Sequence, residues 1–158
     1  MTPRVVNEDD AESVERSHGK KFASRDIELG LTTGSEKLGC TLYEVPPEHS
    51  AAPYHYHTAN EEALYVLTGT GTLRTKSGEV EISKGDYATF LAGDVGAHQV
   101  TNTSDVTLRY LCFSTMRDPE VLVYPDSGKI GVRGEAPGAP NKNLREDAEL
   151  DYWEGETS

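Results

Sequence analysis

Two histidines one residue apart are the part of this sequence best suited to chemistry. They are His55 and His57, in the stretch "PYHYHTANEEALYVLTG" that spans residues 53–69. Alternate side chains of a β-strand lie on the same face, so both imidazoles would point to one side and the neighbouring tyrosines to the other. Two imidazoles on one face can chelate a single metal ion.

An acidic side chain and a third histidine can complete such a site. The pair Glu61 and Glu62 follows His57 after a short polar segment, and His98 opens a later extended segment, "HQVTN". Three imidazoles and one carboxylate suit iron, manganese, nickel, zinc or cobalt. We therefore expect one divalent transition metal ion per chain.

The elements that must position these residues are short β-strands. From about residue 27 the sequence alternates extended segments rich in β-forming residues with turns every 8 to 12 residues, a pattern typical of an antiparallel sandwich or barrel. The segment "DDAESVERSHGKK" predicts a short turn or helix before the barrel. Residues 134–144 predict a loose segment after it, and the aromatic pair in "ELDYWEG" predicts a tail that docks on the surface.

The spacing of these residues resembles the two motifs of the cupin superfamily. The first is His55-x-His57, four residues, Glu62, six residues and then Gly69. The second runs from Gly85 through "Leu91-Ala-Gly93" and "DVGA" to His98 and Asn102. It departs from the usual pattern because Leu91 replaces a proline and the loop before His98 is two residues longer. The resemblance covers residues 38–114, and the flanks are similar to those of a subgroup of small single-domain cupins of undetermined function.

This resemblance implies an all-β double-stranded β-helix, the cupin jelly-roll barrel. We expect the barrel over residues 27–115, an N-terminal extension over 1–26 and a C-terminal extension over 116–158 that packs on or near the barrel. The metal ligands implied are His55, His57, Glu62 and His98, because the six-residue step to Gly69 selects Glu62 over Glu61. Family membership also implies a homodimer.

Two interpretations are open for the polar residues near His98. Gln99 and Asn102 could hydrogen-bond to a metal ligand and orient it, or they could be ordinary strand and turn residues. The sequence favours neither role.

Charge and composition exclude some partners. The net charge is −12, of which −8 lies in residues 1–16 and 145–158. An acidic chain disfavours nucleic acid and anionic membranes. It has no apolar run long enough to span a bilayer and no apolar segment in its first twenty residues, so we expect a cytoplasmic protein. The two cysteines, Cys40 and Cys112, lie in apolar runs and are expected to be buried thiols.

Two classes of function fit a three-histidine, one-glutamate site. The first is a metalloenzyme of oxygenase or isomerase type acting on a small organic substrate, and the second is a non-catalytic module that binds or senses a small ligand. No general base besides Glu62 is evident, so no catalytic residue is assigned. The segments 64–67, 80–82 and 87–90 predict a mostly apolar pocket without the inward arginines or lysines that a large phosphorylated sugar would need.

Overall fold

The structure is a computed structural model that describes residues 4–157 and consists almost wholly of β-strands. These residues also include one short helix, α1 (Leu29–Thr33), and a 3-10 turn at Asp94–Gly96. The strands are β1 (Ser13–His18), β2 (Phe22–Glu28), β3 (Leu38–Val45), β4 (Tyr56–His57), β5 (Glu62–Thr68), β6 (Thr70–Thr75), β7 (Gly78–Ser83), β8 (Tyr87–Phe90), β9 (His98–Thr101), β10 (Leu108–Thr115), β11 (Glu120–Tyr124), β12 (Lys129–Arg133) and β13 (Lys142–Arg145).

The strands form two layers of antiparallel sheet. One layer is a six-stranded sheet in the order β1-β2-β3-β10-β5-β8. The other contains the sheets β13-β12-β11-β4 and β7-β6-β9, which are joined where the backbones of His55 and His98 exchange two hydrogen bonds of 3.2 and 2.9 Å. The all-β prediction is confirmed, and two of the expected metal ligands lie at the seam of the second layer.

The hydrophobic core lies between the two layers and is built by the two-residue period of the strands. On β5, Leu64 and Val66 are fully buried while the intervening Tyr65 is exposed, which places Glu62 on the buried face at the end of the strand. The second layer contributes three side chains that pack in the same core, those of Leu73, Ile82 and Val100. Strand alternation therefore decides that Glu62 points inward.

Segments on both sides of the matched motifs extend the two sheets. The strands β1 and β2 pair with each other and then with β3, and β11 pairs with β4 at Leu122–His57. The expectation of a turn or helix at residues 9–21 is wrong, because Ser13–His18 is a strand whose six residues are all exposed. The expected domain boundary at residue 27 falls inside β2.

The C-terminal segment is exposed. The strand β13 begins at Lys142, within the segment expected to be loose, and pairs with β12. Tyr152 and Trp153 pack edge to face on each other, but they are 83% and 71% exposed, so this aromatic pair does not dock on the barrel. None of the helical segments within residues 4–157 has the length and hydrophobicity of a membrane-spanning helix.

Candidate metal centre

The three predicted histidines converge on one carboxylate oxygen. The Nε2 atoms of His57, His98 and His55 lie 3.2, 3.3 and 4.0 Å from Oε2 of Glu62. All four side chains are largely buried, with 8 to 15% of each exposed. The structure thus brings the four predicted ligands together, while the neighbouring Glu61 is exposed.

Two of the histidines are held in the orientation that a metal ligand needs. Nδ1 of His55 hydrogen-bonds to the Pro53 carbonyl oxygen at 2.8 Å, and Nδ1 of His98 hydrogen-bonds to the Gly96 carbonyl oxygen at 2.9 Å. A carbonyl only accepts, so each Nδ1 must carry the proton. In each ring Nε2 therefore faces Oε2 of Glu62 and is the nitrogen left to bind a metal.

His57 differs from the other two histidines in its hydrogen bonding. Within residues 4–157, neither of its buried ring nitrogens has a hydrogen-bond partner of good geometry, although Glu62 lies 3.2 Å from Nε2 and Oε2 of Glu120 lies 3.6 Å from Nδ1. Buried polar atoms without partners are rare in native proteins and call for an explanation. A cation between His57 and Glu62 would supply one.

The spacing of the donor atoms fits a metal ion. Ligands at right angles on an ion, with bonds of about 2.1 Å, lie about 3 Å apart, close to the separations from Glu62 to His57 and His98. One ligand atom from each of His55, Glu62 and His98 can be chosen so that all lie within 4.8 Å of one another. His57 falls outside this triplet, so its place as a fourth ligand remains a prediction.

The electrostatics of the cluster follow from burial and mutual contact. Burial and the nearby His98 lower the pKa of His55 to about 4, so His55 is neutral. Burial alone would lower the pKa of His57, but the carboxylates of Glu62 and Glu120 outweigh that effect and raise it. Burial would likewise raise the pKa of Glu62, yet its contacts with His57 and His98 hold it well below its usual range. Glu62 is thus ready to bind a cation at neutral pH.

Glu120 is a buried carboxylate that sequence reasoning missed. Its Oε1 accepts hydrogen bonds from the backbone N–H groups of Thr58 and Ala59, and its Oε2 accepts from both the backbone and the side-chain amide of Asn60. It therefore fixes the turn between His57 and Glu62 and also faces Nδ1 of His57. Carboxylates in such a position orient ligating histidines and raise their basicity. A sequence signal was present, because Glu120 is an acidic residue that begins an otherwise apolar strand.

We expect Glu120→Gln to weaken metal binding by about 10- to 100-fold, the usual cost of losing a carboxylate behind a ligating histidine. Affinity for Co²⁺ or Zn²⁺ would be measured by competition with a chromophoric chelator, with the exposed Glu81→Gln as the matched control.

A double-mutant cycle separates this positioning role from a purely structural one. In a His57→Ala background Glu120→Gln should add little further loss, because its effect runs through His57. Equal losses in both backgrounds would show that Glu120 acts only on the fold.

Gln99 and Asn102, the two polar residues near His98, make different hydrogen bonds. Gln99 is buried, donates a 3.0 Å hydrogen bond to the Ala52 carbonyl oxygen and lines the cavity beside the histidines. The amide of Asn102 donates to the carbonyl oxygens of Val45 and Val106, and its oxygen accepts from Ser104. The contacts of Asn102 hold a turn, and those of Gln99 hold the cavity wall.

The four predicted metal ligands, His55, His57, Glu62 and His98, lie in the wall of a cavity of about 420 Å³. Leu64 and Phe90 line it as expected, but Ile82 is buried in the core and Val80 is 53% exposed. The surface of the cavity is mostly apolar, as predicted, but polar and charged residues of strands outside the histidine motifs also line it. The other lining residues are Arg16, Asp26, Glu28, Tyr43, Ala51, Ala52, Pro53, Gln99, Val100, Tyr110, Cys112, Leu122 and Tyr124.

Metal affinity is expected to fall as the pH falls. A metal must displace the proton that the raised pKa of His57 favours, so binding releases about one proton and weakens about tenfold per pH unit below that pKa. His55, with its pKa of about 4, adds no dependence above pH 5. The decline should therefore begin at or above the ordinary histidine value of about 6.5. Competition titrations from pH 5.5 to 7.5 test this, and a constant affinity would contradict it.

Comparison with known proteins finds one matching family. The sequence profile of the cupin domain family matches residues 41–114. No protein of curated function matches the chain.

Three solved structures illustrate the likeness. A protein from Acidithiobacillus ferrooxidans, provisionally named a sugar phosphate isomerase, is 28% identical with a TM-score of 0.73 over 81% of this chain and 80% of its own. A sugar phosphate isomerase of the cupin superfamily from Silicibacter pomeroyi is 24% identical, with a TM-score of 0.81 over 94% of this chain and 98% of its own. The polyketide cyclase RemF from Streptomyces resistomycificus is 22% identical, with a TM-score of 0.59 over 74% and 82%. The last two matches show a shared jelly-roll fold.

Proposed function

The chain belongs to the cupin superfamily, and from that premise we propose that it is a metal-dependent enzyme acting on a small oxygenated organic substrate. His55, His57, Glu62 and His98 hold one divalent transition metal ion, and the cavity beside them receives the substrate. The observation that carries this proposal is the convergence of three histidine Nε2 atoms on Oε2 of Glu62 inside a cavity. A metal held there supplies Lewis acidity toward a substrate oxygen.

Within that class we favour proton transfer, the chemistry of an isomerase. The cavity wall holds two carboxylates from β2, Asp26 and Glu28, besides Glu62. Asp26 is buried and accepts hydrogen bonds from Ser24 at 2.5 Å and Arg16 at 2.6 Å. Glu28 accepts a hydrogen bond of 3.1 Å from Thr41 on one oxygen, and no hydrogen bond from the described residues engages its second oxygen, which can take a proton. The name of the Acidithiobacillus protein supports the same reaction class.

The cysteine and tyrosines of the wall are poor proton acceptors. Burial raises the pKa of Cys112 well above its usual range, and the charge of Glu62 adds to the effect. Burial likewise raises the pKa of Tyr43 and of Tyr110. These groups stay protonated at neutral pH and can donate hydrogen bonds to a substrate oxygen.

A second candidate is a non-catalytic module that holds a small ligand at the same metal. It is favoured by the state of Asp26, whose two oxygens are each engaged by Ser24 or Arg16 and are not free to take a proton. This candidate predicts ligand-dependent stabilisation without any product.

One experiment separates these functions. The metal-loaded protein would be incubated in D₂O with small α-hydroxy aldehydes and ketones while ¹H NMR follows exchange of the carbon-bound proton. Exchange that a chelator abolishes and Glu28→Gln reduces supports the isomerase. Thermal stabilisation without exchange supports the binding module, and oxygen consumption would point to an oxygenase.

We also propose that the protein is a cytoplasmic homodimer. Apolar side chains exposed on and beside the outer face of the six-stranded sheet support a second copy as partner, since such patches mark interfaces. Light scattering should give twice the 17.3 kDa chain mass. These side chains are Leu38, Tyr87, Leu91, Phe113 and Met116.

A further inference from the structure

A second cavity of about 560 Å³ opens beside the candidate metal centre. We call it the cationic groove, because four of its lining residues are basic or histidine. They are Arg16 and His18 on β1, Lys21 in the turn before β2, and Lys129 on β12. Its remaining lining residues are Ser17, Phe22, Ala23, Ala51, Pro53, Tyr54, Gln99, Asp126 and Ser127.

The charge of the groove is opposite to that of the chain. The net charge of the protein is −12, yet Asp126 is the one acidic residue lining the groove within residues 4–157. Its carboxylate is already neutralised by two hydrogen bonds from Arg74, of 2.6 and 3.0 Å. Lys21 and Lys129 have no carboxylate within 4 Å in the described part of the chain. They therefore leave positive charge available to a ligand.

The groove adjoins the metal cavity. Arg16, Ala51, Pro53 and Gln99 line both spaces. The contacts of Tyr124 show how close the groove is to the metal ligands. Its ring centroid lies 5.9 Å from that of His55, and the Nζ atom of Lys129 lies 4.7 Å from the same Tyr124 centroid. One aromatic ring thus separates a candidate metal ligand from a free lysine.

We propose that the cationic groove binds the phosphate group of a substrate whose oxygenated end lies at the metal centre. This inference rests on the proposed function and adds the substrate class, a small phosphorylated molecule. Two lysines from separate elements act as point charges and suit a compact dianion, whereas a single carboxylate favours the fork of one arginine. The segments 64–67, 80–82 and 87–90 hold no arginine or lysine and therefore disfavoured a large phosphorylated sugar, whereas Lys21 and Lys129 lie outside residues 38–114.

The test uses inorganic phosphate as the probe on the purified full-length chain. Phosphate would be titrated against the metal-loaded and the chelator-treated protein, with binding followed by ³¹P line broadening. We expect saturable binding in both forms and at least tenfold weaker binding in Lys21→Ala/Lys129→Ala. The control double variant Lys84→Ala/Lys142→Ala removes the same charge at exposed sites outside the groove and should bind like the parent.

Three results would overturn the proposal. Equal binding by both double variants would mean that the lysines of the groove play no part. Loss of binding on chelation alone would place phosphate on the metal. Acetate binding as tightly as phosphate would remove the preference for a dianion. Because the chelated protein is tested separately, phosphate bound in the groove with no metal found in the protein would refute the metal centre and leave the groove intact.

Discussion

Glu62→Gln is expected to abolish stoichiometric metal binding. The substitution keeps the size of the side chain but replaces a carboxylate by a neutral amide at the point where three Nε2 atoms converge. A direct ligand should cost more than a group behind a ligand, so the affinity should fall by more than about 100-fold. Elemental analysis of the purified protein should find about one transition metal ion per chain in the parent and almost none in the variant.

The neighbouring acid provides the matched control. Glu61→Gln changes the charge equally, but Glu61 is exposed and outside the cluster, so the variant should retain its metal. Loss of metal in both variants would point to a general charge effect. Absence of metal from the parent after incubation with Fe²⁺, Mn²⁺, Co²⁺, Ni²⁺ and Zn²⁺ would contradict the metal centre and leave the metal-free binding role.

The convergence of His55, His57 and Glu62 could be anticipated because it depends on short spacings along the chain. His55 and His57 share a face through the two-residue period of an extended chain. The same period separates Glu62 from Glu61, since Glu62 lies in register with the buried Leu64 and Val66. Only His98 required a long-range contact, and its position within the second motif provided that information.

The rest of the cavity wall depends on pairings that no local pattern reveals. Glu120 reaches His57 because Leu122 on β11 pairs with His57 on β4, across more than sixty residues of chain. Asp26 and Glu28 line the cavity because β2 joins the sheet beside β3. Both β2 and β11 lie outside residues 38–114, so the spacing of the motifs could not predict the carboxylates of Asp26, Glu28 and Glu120 at and behind the wall of this mostly apolar cavity.

The first strand shows why secondary structure was misassigned at the N-terminus. β1 is an edge strand with all six residues exposed, so no alternation of apolar and polar residues marks it. Its polar sequence is equally compatible with a turn or helix, and pairing with β2 decides the outcome. Local propensity gives way to tertiary context in such strands.

The two departures from the second motif are Leu91 and the longer loop before His98. They lie next to each other in the structure. The Gly96 carbonyl oxygen accepts the Nδ1 hydrogen bond of His98, while Gly93 donates its backbone N–H to the His57 carbonyl oxygen at 2.7 Å. A Cβ at position 96 would overlap the carbonyl oxygen of Leu91, the residue in the place of the usual proline. The longer loop is therefore compatible with an oriented His98 only while residue 96 is glycine.

Gly96→Ala is thus expected to damage stability and metal binding together. The clash is with backbone atoms, which cannot move aside as a side chain does, so the free energy of unfolding should fall by about 3 kcal/mol, the upper end of the usual cost of overpacking. Displacement of the loop should also weaken metal binding by at least about tenfold, because His98 loses the partner that fixes its Nε2. Urea unfolding and chelator competition measure the two effects, with the exposed Val95→Ala as a control in the same turn. Normal stability and affinity in Gly96→Ala would mean that the loop moves freely and that His98 is oriented by its stacking on Phe90, whose ring centroid lies 3.6 Å away.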